Sequence, residues 1–351
     1  MVAIILPSSI FGDHIRISPN SHILHNVHVW EQRYVVSGIL VSFHPSSHLR
    51  MAESSPSSNS PEFYKLRNGS FLCFTTFGPA DGRPVFFLHG FPGSRLEGAA
   101  WQGVAMQLNA KLIVPDRPGI GFSSLQKGRR IMDWPYTLLE LAEHLSIGRF
   151  HLLATSGGCP YALACLKTIP GDRLLGASVV SGLFPLNLGA EDMLLMSRVM
   201  LFIAGWFTWI MSLMLDILIG RPSRAKDRTR FERTFMKDVE RWPVVDQECY
   251  VDENFKAWLL QNIAEALTLQ TYGSAWEARL LGSDWGFGLD EIVSPKLTVW
   301  QGKFDRNCPV SMAERAVKKM AGARLIVLDE GHLSLPAKHK HAILENLLHT
   351  A

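Results

Sequence analysis

Five cysteines in 351 residues, Cys73, Cys159, Cys165, Cys249 and Cys308, are scattered and odd in number. That excludes a disulfide framework, and no pair stands at zinc-ligand spacing, so the thiols predict a reducing, cytoplasmic setting. Charge of one sign is also missing, with 35 Lys and Arg against 32 Asp and Glu. No basic stretch is interleaved with aromatics over a compact module, which excludes a nucleic-acid partner. Val199 to Leu215 runs seventeen residues without a charge before Asp216 ends it. This is at the lower limit for crossing a bilayer, which takes ~20 apolar residues, and packed helices are the expected reading. No internal repeat is evident. At the N-terminus, Met1 to Ile5 is apolar but Asp13, His14 and Arg16 follow too early for a secretory signal, and basic residues are too few for a mitochondrial presequence.

What is present is enough apolar material for a sizeable core: 47% hydrophobic and 19% charged residues. The first sixty residues stand apart, with thirteen serines and six histidines, and Ser46 to Pro61 is Ser/Pro-rich. Residues 1–60 are expected to be a flexible extension, with Met51 an equally good start for the compact part. His22, His25 and His28 have no cysteine or carboxylate beside them, so no metal site is expected.

Beyond residue 61 apolar strands alternate with amphipathic helices. Leu152 to Tyr161 reads as a strand, a small-residue turn with Ser156 at its tip, and the start of an Ala/Leu-rich helix. Ala154 and Gly158 supply the small positions such a turn needs where strand and helix backbones approach. Pro84 to His89 is a strand followed by His89-Gly90-Phe91-Pro92-Gly93. Leu112 to Pro115 leads into Asp116-Arg117-Pro118-Gly119, read as a structural loop with an internal hydrogen-bonding anchor. Much later, the strand Leu297 to Trp300 ends near Asp305, and Arg324 to Leu328 ends just before His332. Taken singly, Asp305 could equally be a turn residue bonding its own loop, with Arg306 as a surface partner, and His332 a surface histidine. Asp133 is expected to cap a helix carrying Leu138, Leu141, Ala142 and Leu145, and Pro336 to open the last helix. These elements predict a mostly parallel sheet with helices on both faces.

The order serine, aspartate, histidine, with a His-Gly turn upstream, resembles the α/β-hydrolase family over about residues 61–351. The resemblance implies a nucleophile at Ser156, a general base at His332, an orienting acid at Asp305, and an oxyanion hole formed by the backbone N–H groups of Phe91 and Gly157. One departure is Ala154, where the family's Gly-x-Ser-x-Gly has glycine. A serine at the turn argues against epoxide hydrolase and dehalogenase chemistry, whose family members place aspartate there. No cofactor is implied.

Residues 184–289 are long, helical and aromatic, and the resemblance makes them a cap inserted between core segments 61–183 and 290–351. An apolar cap implies a hydrophobic small-molecule substrate, cleaved at an ester-type bond through an acyl-enzyme. Asp284-Trp285-Gly286-Phe287 is read as the structural exit of the cap, with Trp285 expected to reach the pocket. The charge-free run and the basic stretch Arg221, Arg224, Lys226, Arg228 and Arg230 leave room for peripheral membrane contact through the cap. Two alternatives stand beside the esterase reading: a ligand-binding protein with little or no turnover on the same fold, and a membrane-surface lipid hydrolase. The sequence leaves open the oligomeric state and whether the bond cleaved is an ester, a thioester, an amide or a carbon–carbon bond.

Overall fold

The structure, a computed structural model, describes residues 60–294 and 296–350, together with a small antiparallel ribbon in the unit Met1–Ser55, where Tyr34–Val36 pairs with Ile39–Val41. His22, His25, His28 and nearly all of the Ser/Pro-rich stretch lie outside the described residues.

In the unit Pro56–Ala351 the strands are β1 (Glu62–Lys65), β2 (Phe71–Phe77), β3 (Arg83–Leu88), β4 (Ala110–Pro115), β5 (Phe150–Thr155), β6 (Leu174–Val180), β7 (Leu297–Gly302) and β8 (Arg324–Leu328). They form one sheet in the order β8-β7-β6-β5-β3-β4-β2-β1. From β3 to β8 every pairing is parallel; β1 and β2 add an antiparallel edge through β2–β4. The motif reading contains no strand before Pro84, so this edge is an addition. Every residue of β5 and β7 is buried, as expected for strands covered on both faces, which read as near-continuous apolar runs.

Side chains alternate across the sheet into two cores. Phe86 and Leu88 of β3 with Leu152 and Ala154 of β5 enter one; Val85, Phe87 and Leu153 enter the other. The first is covered by α2 (Trp134–His144), α3 (Cys159–Thr168) and α11 (Val310–Val317); the second by α1 (Gln102–Gln107) and α12 (Ser334–Leu348). Two details differ from the sequence reading. Asp133 does not cap α2 with its side chain; its carboxylate accepts from the Arg130 N–H and guanidinium at 2.8 and 2.9 Å, closing the preceding 3-10 turn. The last helix opens at Ser334, two residues ahead of Pro336.

Between β6 and β7 the long elements are all helical: α4 (Leu195–Trp206), α5 (Thr208–Leu215) with a π-helical turn at Asp216–Gly220, α6 (Arg221–Arg224), α7 (Thr229–Val239), α8 (Val244–Tyr250), α9 (Glu253–Ala266) and α10 (Tyr272–Gly282). Phe231, Tyr250, Leu259 and Ile263 give α7, α8 and α9 a small core of their own. Among the described residues, no helix is long and apolar enough to cross a membrane.

Candidate active site

The turn between β5 and α3 is set by what its residues lack. Ser156 has φ +47°, a left-handed conformation that lifts the residue out of the strand direction. A Cβ on Gly158 would lie 2.2 Å from the Leu88 carbonyl oxygen, and one on Gly157 would lie 2.8 Å from the Phe91 Cβ. Only glycine fits at either place. The Ala154 methyl, by contrast, is fully buried in the same core as Leu88, so the first small position accommodates it.

Three side chains that the sequence scatters over 176 residues meet above this turn. His332 Nε2 lies 3.1 Å from Ser156 Oγ, and His332 Nδ1 lies 2.8 Å from Asp305 Oδ2. With the carboxylate accepting from Nδ1–H, Nε2 is left as the acceptor for the serine hydroxyl. Asp305 is buried, and its other oxygen accepts from the Asn307 and Cys308 N–H groups, each at 2.8 Å, while Gln301 Nε2 donates to Oδ2 at 3.0 Å. The turn role and the histidine contact therefore coexist, one on each oxygen. Burial pulls the His332 pKa down, but the charge and hydrogen bond of Asp305, with the charges of Asp246 and Glu97, outweigh it and hold the pKa above 6.5.

Gly157 follows Ser156 in the turn and packs against Phe91. The Phe91 N–H has no protein hydrogen-bond partner among the described residues, and Gly157 lies in the first turn of a helix, where N–H groups lack intrahelical acceptors. The two are adjacent, since a Cβ on Gly157 would come within 3.3 Å of the Phe91 nitrogen. Ser156 and His332 open into a cavity of about 300 Å³. Trp101, Val180, Phe255, Trp258 and Leu333 give it apolar walls, while Glu97, Glu248, Asp252 and Lys340 add charge that the sequence reading did not expect. Trp285 is not on this wall; it is buried near Phe287, with its Nε1–H directed at the Leu281 carbonyl.

A sequence profile of the alpha/beta hydrolase family matches residues 85–345. The chain belongs to that family. No curated protein matches it in sequence. Among solved structures, this hydrolase is similar to the enol-lactonase from Burkholderia xenovorans LB400, at 15% identity and TM-score 0.58 over 82% of this chain and 99% of that one. It is also similar to an esterase from Exiguobacterium antarcticum, at 19% identity and TM-score 0.58 over 82% and 97% of the two chains. A thermophilic esterase from Thermogutta terrifontis shares 20% identity, with TM-score 0.57 over 82% and 98%. Identities this low speak for the fold alone.

Helices α8 and α9 of this hydrolase bond directly to the segments that carry the site, through residues that are missing from the motifs. Asp246 of α8 is buried and accepts from three successive backbone N–H groups, His332 at 2.9 Å, Leu333 at 2.9 Å and Ser334 at 2.8 Å. It thereby caps α12 and holds the histidine's own backbone. Ser181 donates to the His332 carbonyl at 3.0 Å. Asn262 of α9 accepts from Ser94 N–H at 2.9 Å, and Trp258 donates to the Leu96 carbonyl at 3.0 Å, fixing the loop that follows the His-Gly turn. Glu97 on that loop accepts from the Gly90 N–H at 2.7 Å and from the Thr155 hydroxyl; burial pushes its carboxyl above the ordinary range despite those bonds.

Asp116 and Arg117 are fully buried. Asp116 receives the Arg95 backbone N–H and guanidinium at 2.6 and 2.7 Å. Arg117 donates to the His89 carbonyl at 2.7 Å, to the Gly90 carbonyl at 3.1 Å and to Glu277 of α10 at 2.7 Å; Glu277 also receives Arg129 and the Tyr161 hydroxyl. His89 is buried, and burial followed by the Arg117 charge keeps it neutral. Its Nδ1–H meets the Gly90 carbonyl at 2.9 Å and its Nε2 accepts the Arg117 N–H at 3.3 Å.

Proposed function

We propose that this hydrolase cleaves an ester-type bond in a hydrophobic small molecule through an acyl-enzyme on Ser156. The observation that carries the reading is the hydrogen-bonded chain from Ser156 Oγ through His332 to Asp305, with the serine on a left-handed turn in the lining of a cavity. A serine hydroxyl is a weak nucleophile near neutrality, so a base must take its proton as it attacks. His332 Nε2 is within reach. As Ser156 Oγ bonds to the carbonyl carbon, the proton passes to Nε2 and the carbonyl oxygen becomes an oxyanion between the Phe91 and Gly157 N–H groups. Each such donor is worth roughly 3 kcal/mol in comparable sites. Collapse breaks the bond to the leaving oxygen, which takes the proton back from His332. Water then repeats the sequence on the acyl-enzyme, releasing the acid and restoring the serine. Asp305 fixes the tautomer throughout and stabilises the imidazolium.

The inserted helices act as a cap. A cavity of about 300 Å³ is at the small end of ligand sites, so the acyl portion should be short. The test is turnover of p-nitrophenyl esters of graded acyl length by the wild type, Ser156→Ala and His332→Ala. Hydrolysis that is fastest for short acyl groups and falls to background in both variants supports the reading. A folded wild type that turns over none of them, yet is stabilised by a ligand, would replace it with the ligand-binding alternative.

A further inference from the structure

Helices α4 and α5 are apolar on the inner side and, apart from the exposed Arg198, carry no charge on the outer one. Their inner residues, Leu201, Ala204, Met211 and Leu215, are buried. They rest on α10: a Cβ on its Gly282 would lie 2.9 Å from the Leu201 carbonyl. Along the outer side of α4, Leu195, Val199, Phe202 and Trp206 recur every three or four residues as a single stripe, all exposed, with Phe202 at 64% and Trp206 at 73%. On α5, Trp209 is 66% exposed beside exposed Leu213, and the π-helical turn adds Ile217 and Leu218. A surface helix ordinarily turns charge outward; here the outward face is apolar and aromatic.

Cations follow at once. Arg221, Arg224, Lys226, Arg228 and Arg230 are all exposed. Arg221 and Arg224 share Asp216, while Lys226, Arg228 and Arg230 make no ion pair among the described residues. From Leu195 to Arg230 six basic residues stand against two acidic ones.

We propose that this face docks on an anionic lipid bilayer, with Phe202, Trp206 and Trp209 in the headgroup region and Lys226, Arg228 and Arg230 against the negative surface. Exposed aromatics flanked by cations are the chemistry of an interfacial helix, in which ring bodies enter the acyl boundary and cations meet anionic headgroups. No described helix is long and apolar enough to cross: α4 has 12 residues, about 18 Å at 1.5 Å each, against a hydrocarbon core of ~30 Å, and the run from α5 through α6 carries Asp216, Arg221 and Arg224. A second copy seated on the same face would bring two identical basic clusters to one interface, which like-charge repulsion disfavours. The docking does not depend on the reaction at Ser156.

The experiment is flotation of the full chain with phosphatidylcholine vesicles, with and without phosphatidylserine. The wild type is expected to float with the anionic vesicles, less with the neutral ones, and less as salt rises. Charge reversal at Lys226, Arg228 and Arg230 should weaken anionic binding by at least about fivefold per residue. Trp206→Asp with Trp209→Asp should abolish flotation while leaving the melting temperature unchanged. A wild type that stays with neither vesicle, or that floats equally well after both sets of substitutions, overturns the proposal. So does a concentration-dependent dimer, without flotation, that the tryptophan substitutions dissociate.

Discussion

Ser156 holds a conformation that costs a non-glycine residue on the order of 1 kcal/mol, and the surrounding turn, with Gly157 and Gly158 pressed against Phe91 and Leu88, enforces it. Ser156→Gly should therefore melt higher than Ser156→Ala, although both lose hydrolysis; thermal unfolding of the two variants checks this. In the proposed reaction His332 must be neutral to accept the serine proton. Because its pKa lies above 6.5, the rate should rise with pH through that pKa and fall away on the acid side of it. Asp305→Asn would leave the loop bonds to Asn307 and Cys308 an acceptor but remove the negative charge beside Nδ1. Its kcat should drop by roughly 10⁴, as when the orienting acid of a serine triad is neutralised.

The helix α12 begins at Ser334, two residues after His332, and its first N–H group is satisfied by a carboxylate from α8, 88 residues earlier in the chain. Asp246→Ala strips an acceptor from three buried or half-buried donors and should cost about 1–2 kcal/mol of stability, in the range of lost helix caps. It also removes a negative charge that raises the His332 pKa, so the acid limb of the rate profile should move to lower pH. A substitution that only loosened packing would lower the melting temperature without moving that limb. The β5–α3 turn is less forgiving: Gly158→Ala places a methyl on the Leu88 carbonyl, and soluble, folded protein should not be recovered. The turn was legible in the sequence because small residues are demanded locally by strand and helix backbones that follow one another. The carboxylate of Asp246 was not, because nothing within its own short helix distinguishes it from a surface acid.

The same contrast runs through the assembly of core and insertion. Ser156, Asp305 and His332 each follow an apolar strand, so their convergence could be read from strand order once the sheet was recognised as parallel. Glu277, Asn262 and Glu265, which receives the Arg95 guanidinium at 2.5 Å, sit on helices whose docking is a tertiary fact; the antiparallel edge is another, since β2 pairs with β4, which comes later in the chain. Glu277 links α10 to Arg117 and Arg129 in the core and is fully buried. Glu277→Ala leaves two buried cations without their partner and should destabilise the fold by ~3–5 kcal/mol, measurable by denaturant unfolding. Burial raises the Glu277 pKa but Arg117 and Arg129 lower it further, to about 2. Its stabilising contribution is thus complete above the ordinary glutamate value and is lost only as pH falls through about 2. The catalytic assignment meets its most direct test in intact-mass and peptide mapping of the protein after exposure to a fluorophosphonate. One adduct per chain, on Ser156 and absent from His332→Ala, is expected; a folded protein that takes up no adduct, or takes it up at another residue, contradicts the assignment of Ser156 as the nucleophile.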